Sequence, residues 1–182
     1  MFRSKMRAIA IWVIAISLVT GGCSQVDKLT QFSLDYDETI VIPSVIGLNL
    51  PFTIATPSIK TNSTEIFEIN DTRKNLVEEI KLEQLTLNIV DPVDASFSFL
   101  ESIEIYIAAE DLEEVLVAWK YEIDNSVGSS ITLETSGDDL TPFIVQDEFT
   151  LKFTTVTDKL ILSDQTIEVQ SSFFVDAKIL GI

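Results

Sequence analysis

Between Ile167 and Ile179, every second residue belongs to an apolar or small series: Ile167, Val169, Ser171, Phe173, Val175, Ala177 and Ile179. Glu168, Gln170, Ser172, Asp176 and Lys178 lie between them. A period of two sends alternate side chains to opposite faces of an extended chain, whereas a helix repeats every three or four residues. The run therefore predicts a long strand with one face buried, and such a strand requires partners. Shorter runs of the same kind supply them: Phe149, Leu151 and Phe153; Leu85, Leu87 and Ile89; Ile103, Ile105 and Ile107; Leu48, Leu50, Phe52 and Ile54. Further strands are expected around 32–35, 38–42, 131–135 and 160–162. Short strands with one apolar face predict an all-β fold, mainly an antiparallel β-sandwich, Ig-like in general architecture. Pro51 has no N–H for a ladder and needs an edge or a bulge.

One short helix is expected, with Asn70, Asp71 or Thr72 as its cap and Leu76, Val77 and Ile80 on the apolar side of 73–80. The stretch 111–123 reads two ways. Asp111 and Glu114 resemble a capping box, with Leu112, Val115, Leu116 and Trp119 at helical spacing. Val115, Val117, Trp119, Tyr121 and Ile123 also alternate, and their β-branched and aromatic character favours a strand from about Val115 after a turn. That alternation assigns Trp119 to the core. A single helical turn fits 139–143.

The N-terminus obeys different physics. Arg3, Lys5 and Arg7 precede an uncharged run, 8–20, that is shorter than the roughly 20 apolar residues a membrane-spanning helix needs. Two small residues, Gly21 and Gly22, and then Cys23 follow it. A cationic start, a short apolar core and a small-residue cleavage zone define a secretory signal peptide, expected to be helical. Ending on cysteine, the segment resembles the signal peptides of bacterial lipoproteins, with Thr20, Gly21, Gly22 and Cys23 as the lipobox. The family usually carries Leu, Val or Ile where this chain has Thr20. The resemblance implies cleavage between Gly22 and Cys23, acylation of Cys23 and anchoring to a membrane through it. Ser24 resembles the residue that follows the cysteine in lipoproteins sent to the outer membrane. The absence of a dense acidic run after Cys23 favours the periplasmic side over the cell surface. The alternative is an ordinary signal-peptidase cut served by the Gly-Gly pair. Cys23 is the only cysteine in the sequence, so no internal disulfide can form, and acylation would remove a free thiol. Several acyl chains, at about 0.8 kcal/mol per buried CH₂, would hold it stably.

This reading divides the chain into 1–22, a signal peptide; 23–30, a lipidated N-terminus and short tether; and 31–182, a single β-sandwich domain. Twelve basic residues less the three in the signal leave 9 against 29 acidic ones, a net charge of about −20. That balance repels nucleic acid and anionic lipid. It would draw a cationic partner or divalent ions, or simply keep a tethered domain soluble.

Histidine is absent, so no imidazole base and no Ser-His-Asp or Cys-His arrangement can exist. With Cys23 assigned to lipid there is no thiol nucleophile or zinc ligand, and no glycine loop matches a nucleotide-binding pattern. No catalytic, cofactor-binding or metal residue is assigned. Carboxylates alone could serve a glycosidase, given a pair at suitable separation. Acidic pairs such as Asp35 with Asp37, Asp91 with Asp94, Asp138 with Asp139 and Asp147 with Glu148 could meet calcium, although none follows EF-hand spacing. The expectation is a noncatalytic binding or scaffold module on an envelope lipoprotein, meeting a protein partner through the apolar runs at 40–54 and 103–109. The alternative is a module that binds a glycan or an apolar small molecule, which a trough of exposed aromatics would favour.

Overall fold

A computed structural model describes residues 30–44 and 51–178. Contacts divide the chain into Met1–Gln31 and Phe32–Ile182. Gly22 and Cys23, and with them the whole signal and lipidation reading, lie outside the described residues.

The described chain is an all-β antiparallel sandwich. Ten strands form in order: β1 (Gln31–Ile42), β2 (Phe52–Ala55), β3 (Ile59–Lys60), β4 (Val77–Asp91), β5 (Leu100–Ala108), β6 (Val115–Lys120), β7 (Ser130–Thr132), β8 (Glu134–Thr135), β9 (Glu148–Thr157) and β10 (Gln165–Ala177). One sheet has the order β1-β10-β4-β7, the other β2-β9-β5-β6-β8 with β3 beside β9. β10 neighbours β4 in the first sheet and β9 neighbours β5 in the second, so the connections β4 to β5 and β9 to β10 cross between sheets side by side. That is the strand order of a jelly roll. Leu133, between β7 and β8, donates its N–H to the Leu85 carbonyl at 3.0 Å, and there the chain changes sheet. The opposite edge is formed by β1 and β2; Pro51 sits just ahead of β2, where no ladder bond is lost.

The inner faces are those the alternation requires. Leu34, Ile40 and Ile42 of β1, Leu151 and Phe153 of β9, and Ile167, Val169 and Val175 of β10 join one buried cluster. Its centre is a triangle of rings. Tyr36 meets Phe149 edge-on at 5.3 Å between centroids, Phe173 lies 5.8 Å from Tyr36, and Phe149 and Phe173 are 5.9 Å apart. Edge-to-face pairs add stabilisation beyond buried area. The Tyr36 hydroxyl donates to the Thr61 carbonyl at 3.0 Å, and burial pushes its pKa up to about 12. Thr155 is buried with its hydroxyl unpartnered. A buried polar atom without a partner is unfavourable and valine matches threonine in shape, so Thr155→Val should raise the urea midpoint, by about 1 kcal/mol of stability.

Three expectations are corrected. No helix spans 73–80: 74–76 is a 3-10 turn and β4 begins at Val77, while the helix α1 runs through Ser63–Ile69. Asn70 and Asp71 end that helix rather than start one, Asp71 with φ 54° and the Asn70 side chain donating to the Ile66 carbonyl at 2.8 Å. Both residue types tolerate left-handed backbone and bond nearby main chain, so they suit either end of a helix. The pattern around Ile80 looked helical because β4 carries a bulge. Leu82 faces Phe173 and Gln84 faces Ser172, leaving Glu83 as an extra residue. Ile80 and Leu82 therefore reach the core on one parity, and Leu85, Leu87 and Ile89 on the other.

Second, 160–162 is not a strand. It is part of the β9–β10 connection, where Ile161 plugs the core between exposed Leu160 and Leu162. Third, Trp119 is only half-buried and lies on the outer face. Ile105 faces Ala118 while Tyr106 faces Leu116, so Val117 is the bulge and both Val117 and Ala118 point inward. The parity change turns Trp119 out beside Glu104. The strand from Val115 and the helical turn α2 (Thr141–Ile144) form as read from the sequence.

Candidate functional site

The outward face of the second sheet concentrates the exposed chemistry. Ile103, Ile105 and Ile107 take the inner face of β5, so Glu104 and Tyr106 take the outer one. Register then builds a row across five strands: Thr53 faces Thr154, Thr154 faces Glu104, Glu104 faces Trp119 and Trp119 faces Glu134. A second row places Lys152 beside Tyr106 and Tyr106 beside Leu116.

Glu104 organises the aromatics. The Tyr106 hydroxyl donates to one of its oxygens at 2.8 Å and the Tyr121 hydroxyl to the other at 2.7 Å. The bond from Tyr121 and then that from Tyr106 hold the carboxyl below the usual carboxylate range, while the same bonds raise both phenols. A depressed folded-state pKa means that the ionised carboxylate favours the folded form above its unfolded pKa. That contribution is lost as pH falls through the folded value. At neutral pH both rings are held by a charged acceptor, with Trp119 beside them. A concavity of about 490 Å³ adjoins Tyr106, lined also by Thr53, Glu114, Lys152 and Thr154. Lys152 pairs with Glu114 at 2.9 Å and the Thr53 and Thr154 hydroxyls meet at 3.3 Å. The surface thus offers aromatic planes, hydroxyls, one ammonium and three carboxylates, most of them on paired strands, the composition of a site that binds a neutral polar ligand with apolar faces.

The other acidic pairs are dispersed or engaged. Asp35 lies on β1 and accepts from Ser172 at 2.6 Å; Asp147 meets Lys74 at 3.4 Å. Burial alone would raise the Asp139 pKa. Hydrogen bonds from the Thr141 hydroxyl, the Thr141 N–H and the Ile80 N–H, with Lys81 nearby, outweigh burial and lower it, so this carboxylate ties α2 to β4. Among the described residues no three Asp or Glu side chains are grouped as metal ligands, and no helix is long and apolar enough to cross a membrane. Sequence reasoning passed over Glu104 and Tyr106 and assigned Trp119 to the core. The signal in reach was the phase of Ile103, Ile105 and Ile107, which places Glu104 and Tyr106 outside together.

No family model matches the chain, and no curated protein matches it. Among solved structures it is similar to CpGH89CBM32-5 from Clostridium perfringens, in complex with GalNAc-beta-1,3-galactose, at 10% identity and TM-score 0.37 over 79% of this chain and 97% of that one. It is also similar to FLHE at 8% identity and TM-score 0.35, covering 81% and 98%, and to the decameric BFDV capsid protein at 6% and 0.39, covering 81% and 98%. Likenesses of that strength assign neither a family nor a ligand.

Proposed function

We propose that this chain is a lipid-anchored, noncatalytic binding module of the bacterial envelope, held in the outer membrane through Cys23 and facing the periplasm. The outer face of its six-stranded sheet would be the binding surface for a glycan. The observation that carries the ligand is Trp119, turned outward by the β6 bulge beside two tyrosines that Glu104 holds in place. A pyranose has a C–H face that stacks on such rings and a rim of hydroxyls for Glu104, Lys152 and the threonines. A net charge of about −20 disfavours polyanionic ligands, so neutral and amino sugars fit best. The anchor rests on the lipobox-like 20–23 and the positive, short apolar segment ahead of it.

The run 103–109, expected from the sequence to meet a protein partner, presents Glu104 and Tyr106 rather than aliphatics on the outer face of β5. The mature chain would keep Trp119 as its only tryptophan, since Trp12 lies in the signal. Trp119 emission in the lipidated protein therefore reads the site directly. Titration with a panel of neutral and N-acetylated oligosaccharides is expected to shift that emission for at least one of them. Tyr106→Ala and Tyr121→Ala should weaken that ligand about tenfold while the domain stays folded, its thermal midpoint falling only slightly with the lost bonds to Glu104. No shift across the panel would sink the glycan reading. Mass spectrometry of the mature N-terminus should show acylated Cys23; an unmodified cysteine would sink the anchor.

A further inference from the structure

Five of the seven most exposed large hydrophobics among the described residues sit at one end of the sandwich: Leu162 (91% exposed), Val93 (85%), Leu160 (60%), Val90 (49%) and Val41 (47%). Ile69 belongs to α1 and Tyr121 to the outer sheet face. Topology explains the gathering. The connections 158–164 and 92–99 cross that end on neighbouring tracks, tied by the Asp158 N–H to the Phe99 carbonyl at 3.1 Å. Ser44, just past β1, donates its N–H to Asp164 at 2.8 Å, which draws the Val41 end of β1 to the same place. On the far side the Phe97 N–H reaches the Gly128 carbonyl at 3.0 Å. Ile161, Phe97 and Phe99 are buried beneath, so the core is already sealed and the outward leucines and valines contribute nothing to it.

Exposed acids share the connections at this end: Asp91, Asp94, Glu122, Asp124, Asp158 and Asp164, with Lys159 the one basic residue on them. β1 starts at the opposite end, so the patch lies away from the chain's point of entry into the domain. The charge decides what can cover it. A second copy would set one acidic end against another, and an anionic bilayer would be repelled in the same way. Exposed aliphatics interspersed with carboxylates fit a protein surface that presents aliphatic side chains flanked by Lys or Arg.

We propose that this end of the sandwich docks a protein partner through a basic, apolar segment, at a surface separate from the Glu104 face and independent of any glycan bound there. The test uses the full lipidated chain in phosphatidylcholine nanodiscs and two labelled peptides of equal charge, one alternating Leu with Lys and one alternating Ser with Lys, read by anisotropy. The Leu/Lys peptide should bind about tenfold tighter than the Ser/Lys peptide. Leu162→Ser combined with Val93→Ser should remove that advantage. Asp94→Asn combined with Asp158→Asn should weaken binding and flatten its salt dependence. Both pairs are exposed, and unchanged Trp119 emission and thermal midpoint confirm that each variant is folded. Equal affinity for the two peptides, or a Leu/Lys affinity untouched by Leu162→Ser with Val93→Ser, overturns the proposal. So does burial of this end in the phosphatidylcholine surface, or a dimer abolished by Leu162→Ser, since each assigns the patch to another occupant.

Discussion

Replacing Phe173 by alanine is expected to destabilise the domain by about 3–5 kcal/mol, a drop in thermal midpoint of roughly 6–20 °C. Phe173 is fully buried, with ring partners Tyr36 from β1 and Phe149 from the opposing sheet. Truncation leaves a cavity bordered by three strands whose registers are held by long ladders, so the surroundings can collapse only in part. The next residue provides the control. Phe174 is half-buried on the outer side of the same strand, opposite Lys81. Phe174→Ala keeps the same backbone and loses the same ring, and should cost below about 1 kcal/mol. Urea denaturation of the two variants separates them. Equal losses would mean that the faces of β10 are assigned wrongly.

The second large effect is a contrast between two deletions in β4. Removing Glu83 takes out the bulge residue and leaves Ile80, Leu82, Leu85, Leu87 and Ile89 on one uninterrupted parity, so the fold should survive within about 1.5 kcal/mol. Removing Lys81, two residues away, admits no such repair. Either Leu82 turns out and Glu83 turns in, or Ile80 turns out and Glu79 turns in. Burying a carboxylate while exposing a core aliphatic costs roughly 3–5 kcal/mol or more. Folded yield and a cooperative denaturation curve for the Glu83 deletion, against an unfolded or aggregated Lys81 deletion, are the expected readouts. Loss of folding in both would show that the bulge is needed for the twist of the sheet.

β9, β10 and β5 from Ile103 onward are legible because each repeats one parity without interruption, and an alternating chain can bury its apolar side chains only as a strand; β1, expected as two strands at 32–35 and 38–42, is continuous. β4 and β6 are legible only in part, because each contains a bulge that shifts parity in mid-strand. Glu83 and Val117 carry no local mark of this; the partner strand decides it, and Ser172 and Phe173 lie some ninety residues beyond Glu83. The same slip hid the site. Alternation from Val115 and Val117 put Trp119 in the core, and the parity change at Val117 moved it to the open face. Glu104 likewise reads as an ordinary outward acid until the strand end after β6 returns Tyr121 to it. Leu160, Ile161 and Leu162 are a short aliphatic run that reads as a strand. Their pattern comes from a connection that crosses the end of the sandwich with one residue in and two out.

By itself the sequence determined the class of fold, an acidic all-β sandwich with one apolar face per strand, because burial follows from each residue's own hydrophobicity and the two-residue repeat. It also excluded imidazole chemistry and an internal disulfide by composition, and it alone carries the lipid-anchor reading at Cys23. Only the tertiary structure decided where parity slips, which aromatics face outward around Glu104, and that the exposed aliphatics of separate connections share one acid-rich end. Those features depend on register between strands distant in the chain, where a single residue of slip exchanges the buried face for the exposed one.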